Sequence, residues 1–250
     1  MLLSTPGLVL HTTPYGDSSV VAKVFTRQLG VRSYIIKGVR GPRGRVKQNL
    51  LQPLSCLDMV VYDNPKNDLN YIKELSLRHS STEASPHSLS LPFTPSHSPI
   101  ENALRFFMTE VLYKALREEE PMPDLWDYVE ETTDHWPLAT GHLPITFLLT
   151  VAQHMGIRPL DNHSPHEPYF DLQEGRYVGA PTETTLPPAL SSMLHEYLLS
   201  FHSLSLPFTP FHSSLDERTA LIDALVAYFQ LHLSGFRNFH SHEILHTILR

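Results

Sequence analysis

The chain has 250 residues, 41% of them hydrophobic, with a mean hydropathy of −0.17, which is enough apolar material for one large domain or two small ones. No run approaches the roughly 18 apolar residues of a membrane-spanning helix, and a single cysteine, Cys56, excludes an internal disulfide or a cysteine-built zinc cluster. The opening MLLSTPGLVLHTTPYGD lacks a basic stretch followed by an unbroken apolar run, so no signal peptide is expected and a cytoplasmic protein is predicted.

The net charge of −7 argues against a polyanionic partner, but its distribution argues for one. Residues 1–50 hold eight cations, Lys23, Arg27, Arg32, Lys37, Arg40, Arg43, Arg45 and Lys47, against one acid, Asp17. Residues 51–250 hold 11 basic and 25 acidic residues. Such asymmetry points to an anion bound by the basic segment.

In chain order, the basic segment reads as β structure. β-Branched and aromatic runs at Val20–Phe25 and Val31–Ile36 are separated by turn signals at Tyr15–Gly16–Asp17 and Leu29–Gly30. The stretches 54–63 and 69–80 continue the pattern across the turn DNPKNDLN. About five short strands in 80 residues predict a small closed barrel such as an OB-fold. Between the third and fourth strands, KGVRGPRGRVKQNLLQP (37–53) combines glycines with five cations in its first eleven residues. Such a connection can follow a phosphate backbone, and arginine forks onto phosphate oxygens.

From about residue 98 the period becomes helical. Ile100, Ala103, Leu104, Phe107, Met108, Val111, Leu112, Ala115 and Leu116 form one apolar stripe, read as core. Further helices are expected at 125–136, 143–157, 186–201, 216–233 and near the end of the chain, with a short hairpin at 169–178. The predicted organisation is therefore α+β: an OB-fold over 1–80, a linker over 81–97, and a mainly helical domain over 98–250. The nonapeptide HSLSLPFTP occurs at 87–95 and again at 202–210, each time before a helix; no function is assigned to it.

The chemistry of catalysis is sparse. No phosphate-cradling glycine loop of the G-x-x-x-x-G-K-[ST] or G-x-G-x-x-G kind is present, so no nucleotide cofactor is expected. Arg117–Glu120 reads as a solvated charged turn. His242–Glu243–Ile244–Leu245–His246 spells H-E-x-x-H, the zinc-peptidase pattern, but a third ligand should follow it and only four residues remain. The apolar residues of this stretch predict a terminal helix with both histidines on its outer face, and no metal is expected.

YGDSSVVAKVFTRQLGVRSYIIKGVRGPRGRVKQNLLQPLSCLDMVVY resembles the N-terminal domain of the RecO family of DNA repair proteins. The Y-x-[ED]-[TS]-S start, the T-x-x-x-G turn, K-G-x-R and a basic loop before L-Q-P occur in that order. The resemblance continues through SLPFTPSHSPIENALRFFMTEVLYKALREEEPMPDLWDYV and FLLTVAQHMGIRPL to YFQLHLSGFRNFHSHEIL, with a closing Ser-x-x-x-Leu at 241–245. It implies an OB-fold followed by a helical domain, and a recombination mediator rather than an enzyme.

Partners implied by the resemblance are single- and double-stranded DNA, RecR, the C-terminal tail of single-stranded DNA-binding protein and, indirectly, RecA, with strand annealing as the activity. Localisation would be cytoplasmic, on the nucleoid during repair. Carried over, the eight cations named above become the DNA face, with Lys37, Arg40, Arg43 and Lys47 in the matching loop. Strand aromatics such as Tyr34 are candidates for base stacking, with a place in the core equally open to them. For the partner tail, a pocket of Leu143, Phe147, Val151 and Arg158 is expected.

Many family members hold zinc with four cysteines around the segment that here reads GIRPLDNHSPHEPYFDLQEGRYVGAP. None is present, and His163 and His166 are too few to replace them, so the hairpin near 160–180 is expected to be held by packing. Two other classes fit parts of the sequence: a different OB-fold module binding RNA, or a zinc hydrolase built on the terminal HEILH.

Overall fold

The computed structural model describes residues 2–40, 45–64, 66–78, 98–134, 141–202 and 213–249. Compactness divides the chain into two units, Met1–Trp136 and Pro137–Arg250.

The first unit is built on five strands: β1 (Leu2–Tyr15), β2 (Ser19–Thr26), β3 (Gly30–Ile36), β4 (Cys56–Tyr62) and β5 (Leu69–Leu77). They close into a barrel in the order β1-β2-β3-β5-β4. All neighbours are antiparallel except β3 and β5, which run parallel. This is the connectivity of an OB-fold, as the strand count and turn spacing predict. β1 is 14 residues long because it serves two neighbours. Its first half pairs with β4 (Leu2↔Tyr62) and its second half with β2 (Tyr15↔Ser19), a register shift at Val9/His11 allowing the turn between them.

Inward positions alternate with outward ones. Val20, Ala22 and Val24 of β2, Tyr34 and Ile36 of β3, and Leu57, Met59 and Val61 of β4 meet in one core. The connection expected to be a loop carries a short helix, α1 (Arg45–Leu50), whose RVKQNL holds neither glycine nor proline once those of 41–44 are past.

Two more helices complete this unit: α2 (Pro99–Ala115) and α3 (Pro123–Asp134). α2 starts on a capping box in which Ser98 accepts from the Glu101 N–H, while the Glu101 carboxylate accepts from the Ser98 N–H. Its apolar stripe is buried from Ala103 to Ala115, with Ile100 and the capping Leu116 partly exposed at its ends, and the helix packs on β1. α3 is tied to the barrel by Trp126, fully buried, whose Nε1 donates to the Phe25 carbonyl at 3.0 Å. The linker expected at 81–97 lies outside the described residues. The compact unit that contains the barrel nevertheless extends past it to Trp136, where the sequence pattern put the boundary at the change from strand to helix.

The second unit contains α4 (Leu143–His154), the strand pair β6 (Tyr169–Asp171) and β7 (Arg176–Val178), then α5 (Pro188–His202), α6 (Leu215–His232) and α7 (Ser241–Leu249). α6 packs on α4, α5 and α7 through Leu221, Ile222, Leu225, Val226 and Phe229.

Without cysteines, the hairpin is held by polar groups that imitate backbone pairing. Asn162 donates to the Tyr177 carbonyl at 3.0 Å and accepts from the Tyr177 N–H at 2.8 Å, as a neighbouring strand would. Asp171, only 3% exposed, accepts from the hydroxyls of Thr182 and Thr184 and from the N–H groups of Gln173 and Glu174. His163 stacks on His195 at 4.3 Å, and His195 Nδ1 lies 2.6 Å from Asp161 Oδ1.

Candidate nucleic-acid interface

The register of the barrel gathers one set of side chains at one rim. The pairings Tyr62↔Tyr71, Tyr71↔Ile35, Ile36↔Val20 and Ser19↔Tyr15 run around it in succession. Three connections therefore leave from the same rim: 16–18, the segment starting at Lys37, and 63–68. Arg40 binds the first of them, its N–H donating to the Ser18 carbonyl at 3.0 Å and its guanidinium to the Gly16 carbonyl at 3.2 Å.

Tyr15, Tyr62 and Tyr71 are each about half exposed on this rim. A surface cavity of about 440 Å³ opens between Ile35, Ile36, Lys37, Tyr62, Tyr71 and Lys73. Polar and apolar groups line it alike, the Tyr71 ring among them, and the Lys37 ammonium lies 5.3 Å from the centre of that ring. A cation over an aromatic face keeps the ring oriented while leaving its other face to a ligand. Such a cavity suits a flat, unstacked base with its phosphate beside the ammonium groups. Asp17, Asp63 and Asp68 lie in the same connections, so the rim is not uniformly basic.

The eight cations expected to bind DNA separate into two groups. Lys23, Arg27 and Arg32 flank the turn between β2 and β3 and are engaged by carboxylates from the segment between α2 and α3 and from α3 itself. Lys23 Nζ lies 2.6 Å from Glu118, and Arg27 forks onto Asp127 at 2.6 and 2.8 Å. The Arg27 guanidinium holds the Asp127 carboxyl below the usual carboxylate range, chiefly by hydrogen bonding. Arg32 pairs with Glu119, and its side chain is only 10% exposed. The second group starts the connection from the rim, with Lys37 and Arg40 in view. Arg43 lies outside the described residues, as do the side chains of Arg45 and Lys47, although α1 includes the backbone of the last two.

Several expectations are corrected by burial. Tyr34 is fully buried in the barrel core, where desolvation first and the nearby Asp63 second push its hydroxyl far above the ordinary value; it offers no face to a base. The stacking candidates that the sequence pattern missed are Tyr62 and Tyr71, and their signal was positional: both flank the DNPKND turn. Leu143, Phe147 and Val151 are 6, 0 and 0% exposed, so they pack the core of the second unit rather than line an open pocket; Arg158 is partly exposed nearby in sequence. Cys56 is partly buried, with Sγ 3.7 Å from a Glu130 carboxylate oxygen.

The histidines of HEILH also differ from expectation. The buried face of α7 runs through Ser241 and Leu245, leaving Ile244 half exposed and turning His242 and His246 inward. Both approach Asp223 of α6, at 3.9 and 3.5 Å, while Glu243 faces solvent. Among the described residues no group of three or more His, Cys, Asp or Glu is arranged to hold a metal ion. Nor, among them, is any helix long and apolar enough to cross a membrane.

Comparison with known proteins identifies relatives of the chain. Residues 1–81 match the family model described as Recombination protein O N terminal. A DNA repair protein RecO from Porphyromonas gingivalis is 31% identical over 260 aligned positions, covering 99% of both chains. Relatives of the same description from Phocaeicola vulgatus and Bacteroides fragilis are 27% and 25% identical, over 98% of each chain.

Proposed function

The chain belongs to the RecO family of DNA repair proteins, and from that premise we propose that it holds single-stranded DNA on the barrel rim during homologous recombination. The observation that carries this reading is the meeting of Tyr62, Tyr71 and Lys37 at the point where the cation-dense connection 37–47 leaves the barrel. Lys37, Arg40, Arg43, Arg45 and Lys47 neutralise phosphates and release counterions, without reading sequence. The two tyrosines hold bases apart from their neighbours, each stacked base contributing about 1–3 kcal/mol.

A strand held by its phosphates, with the remaining bases turned outward, can meet its complement, which is the chemistry of annealing. Double-stranded DNA engages the same cations without entering the cavity. Membership of the family supports RecR, the C-terminal tail of single-stranded DNA-binding protein and, indirectly, RecA as partners, acting to load RecA on coated strands. No covalent step is required of the protein, and no metal or nucleotide enters the mechanism.

The test is single-strand binding and annealing across a salt series, with and without single-stranded DNA-binding protein. Salt-sensitive binding and annealing of coated strands are expected. A stronger preference for RNA, with no annealing of DNA, would move the protein to another class of OB-fold module.

A further inference from the structure

We propose that Glu118 and Asp127 act as specificity-determining residues for DNA: they occupy Lys23 and Arg27 in place of phosphates and so restrict DNA to the opposite rim. This rests on the reading that the barrel binds DNA. The region around the β2–β3 turn carries three cations within ten residues, beside the five in eleven of the connection after β3. In the folded unit each one meets a carboxylate. Two of the carboxylates lie further out than the cations they cover, with side-chain exposures of 61% for Glu118 over 27% for Lys23, and 51% for Glu119 over 10% for Arg32, while Asp127 and Arg27 are about equally exposed and neutralise each other at the surface. Seen from solvent, the region presents acids and one closed ion pair rather than bare cations.

The covering segment is held by backbone as well as charge. Val31 and Glu118 form a parallel β-bridge, and the Glu119 N–H donates to the Val31 carbonyl at 3.1 Å. β5 pairs with β3 only over Ser33–Ile35, which leaves the start of β3 open to this addition. Gly30, at φ +67°, is required there: a Cβ would stand 2.5 Å from the Glu120 carbonyl oxygen. Glu119 itself adopts φ +64°, a conformation that costs a non-glycine residue about 1 kcal/mol or more and persists only when neighbours impose it. Its carboxylate on the nearly buried Arg32 and its N–H on Val31 provide that imposition. Glu119 is thus the anchor, and Glu118 and Asp127 are the charges laid over the two accessible cations. A stable carboxylate cover of this kind costs local DNA affinity, and the gain is a defined strand path.

The test is a pair of charge-removing, shape-preserving changes, Glu118→Gln with Asp127→Asn, assayed by binding of a fluorescent oligothymidine in the full chain. Two uncovered cations should steepen the dependence of log affinity on log salt by about 1.4, so that binding is tighter at 50 mM salt and falls roughly sevenfold more steeply by 200 mM. Adding Lys23→Gln and Arg27→Gln should abolish that gain. The same two cation changes in the unaltered chain should leave binding nearly unchanged. A control with two exposed acids of the other unit removed, Glu183→Gln with Glu196→Gln, should reproduce little of the gain.

An unchanged slope, or an equal gain from the control, would overturn the inference while leaving the DNA-binding reading intact. So would a loss from Lys23→Gln/Arg27→Gln in the unaltered chain as large as that from Lys37→Gln/Arg40→Gln, an outcome that needs no folding of the carboxylate variants. Absence of salt-sensitive binding by all variants would overturn the underlying reading and the inference together.

Discussion

Tyr62 and Tyr71 stand directly opposite each other across the β4–β5 pair, each about half exposed, at the rim from which the most cationic connection of the chain departs. Cross-strand aromatic partners on a barrel ordinarily close over one another or over the core. Here they line a cavity whose other wall carries Lys37 and Lys73, and that combination of ring and ammonium suits an unstacked nucleotide.

Replacing Tyr71 by Ala should therefore weaken single-strand binding by about 1–3 kcal/mol, a factor of roughly 5 to 150, with duplex binding much less affected. Tyr62→Ala should act in the same direction. Both side chains are half exposed, so the melting temperature should hardly move. Quenching of 2-aminopurine in an oligothymidine reports the stacking directly; quenching that survives both changes would rule out the cavity as a base site.

Cations on the rim should announce themselves through salt. Each of Lys37, Arg40, Arg43, Arg45 and Lys47 that contacts a phosphate contributes about 0.7 to the single-strand salt slope. Changing Lys37 and Arg40 together to Gln should flatten the slope by about 1.4 and weaken binding evenly across sequences. A slope unaltered by the double change would place the phosphates elsewhere.

The hairpin of the second unit depends on Asp171. Burial by itself raises its carboxyl, but donors from Thr182, Glu174, Thr184 and Gln173 together hold it below the usual carboxylate range. A carboxyl depressed on folding contributes stability that is fully present above its unfolded value, about 3.9, and lost as pH falls through the folded value. Asp171→Asn should cost about 1–3 kcal/mol at pH 7 by leaving donors mismatched. In urea unfolding, the gap between the two proteins should stay constant from pH 7 to about 5 and close only in stronger acid. A gap already closing at pH 6 would mean that another group carries the pH dependence.

Compactness of the first unit makes a claim about fragments. Trp126 reaches the Phe25 carbonyl, and Arg78 contacts both Glu130, at 2.6 Å, and Asp58, at 3.0 Å. A fragment of residues 1–136 should unfold cooperatively. One ending at 81 loses α2 and α3 and exposes the surface they cover, so it should melt lower and bind hydrophobic dye. Trp126→Ala in the longer fragment should cost about 3–5 kcal/mol. Equal melting temperatures for the two fragments would confine the folding unit to the barrel.

How much was legible beforehand differs by element. The five strands and their turns were readable because alternation and Gly, Asn and Asp punctuation are local, and the capping boxes before α2 and α6 are written in four consecutive residues. The short helix α1 was hidden by the glycines and proline that precede it. Tyr34 and Tyr71 illustrate the limit: both are strand tyrosines in β-rich surroundings, yet one is fully buried and the other faces solvent. Only the pleat and the closure of the barrel decide which side each takes.

Composition and local pattern by themselves determined an N-terminal β-barrel, a helical remainder, one dense run of cations and no cysteine framework. The tertiary structure decided which cations meet carboxylates. Lys23, Arg27 and Arg32 lie 87 to 100 positions from Glu118, Asp127 and Glu119, and no periodicity relates charges at that separation. It also decided that His242 and His246 turn inward and that Leu143, Phe147 and Val151 are core. The physical reason is common to all of these. A side chain's type and spacing are properties of a short stretch of chain, whereas its solvation and its partner depend on which distant surface is folded against it.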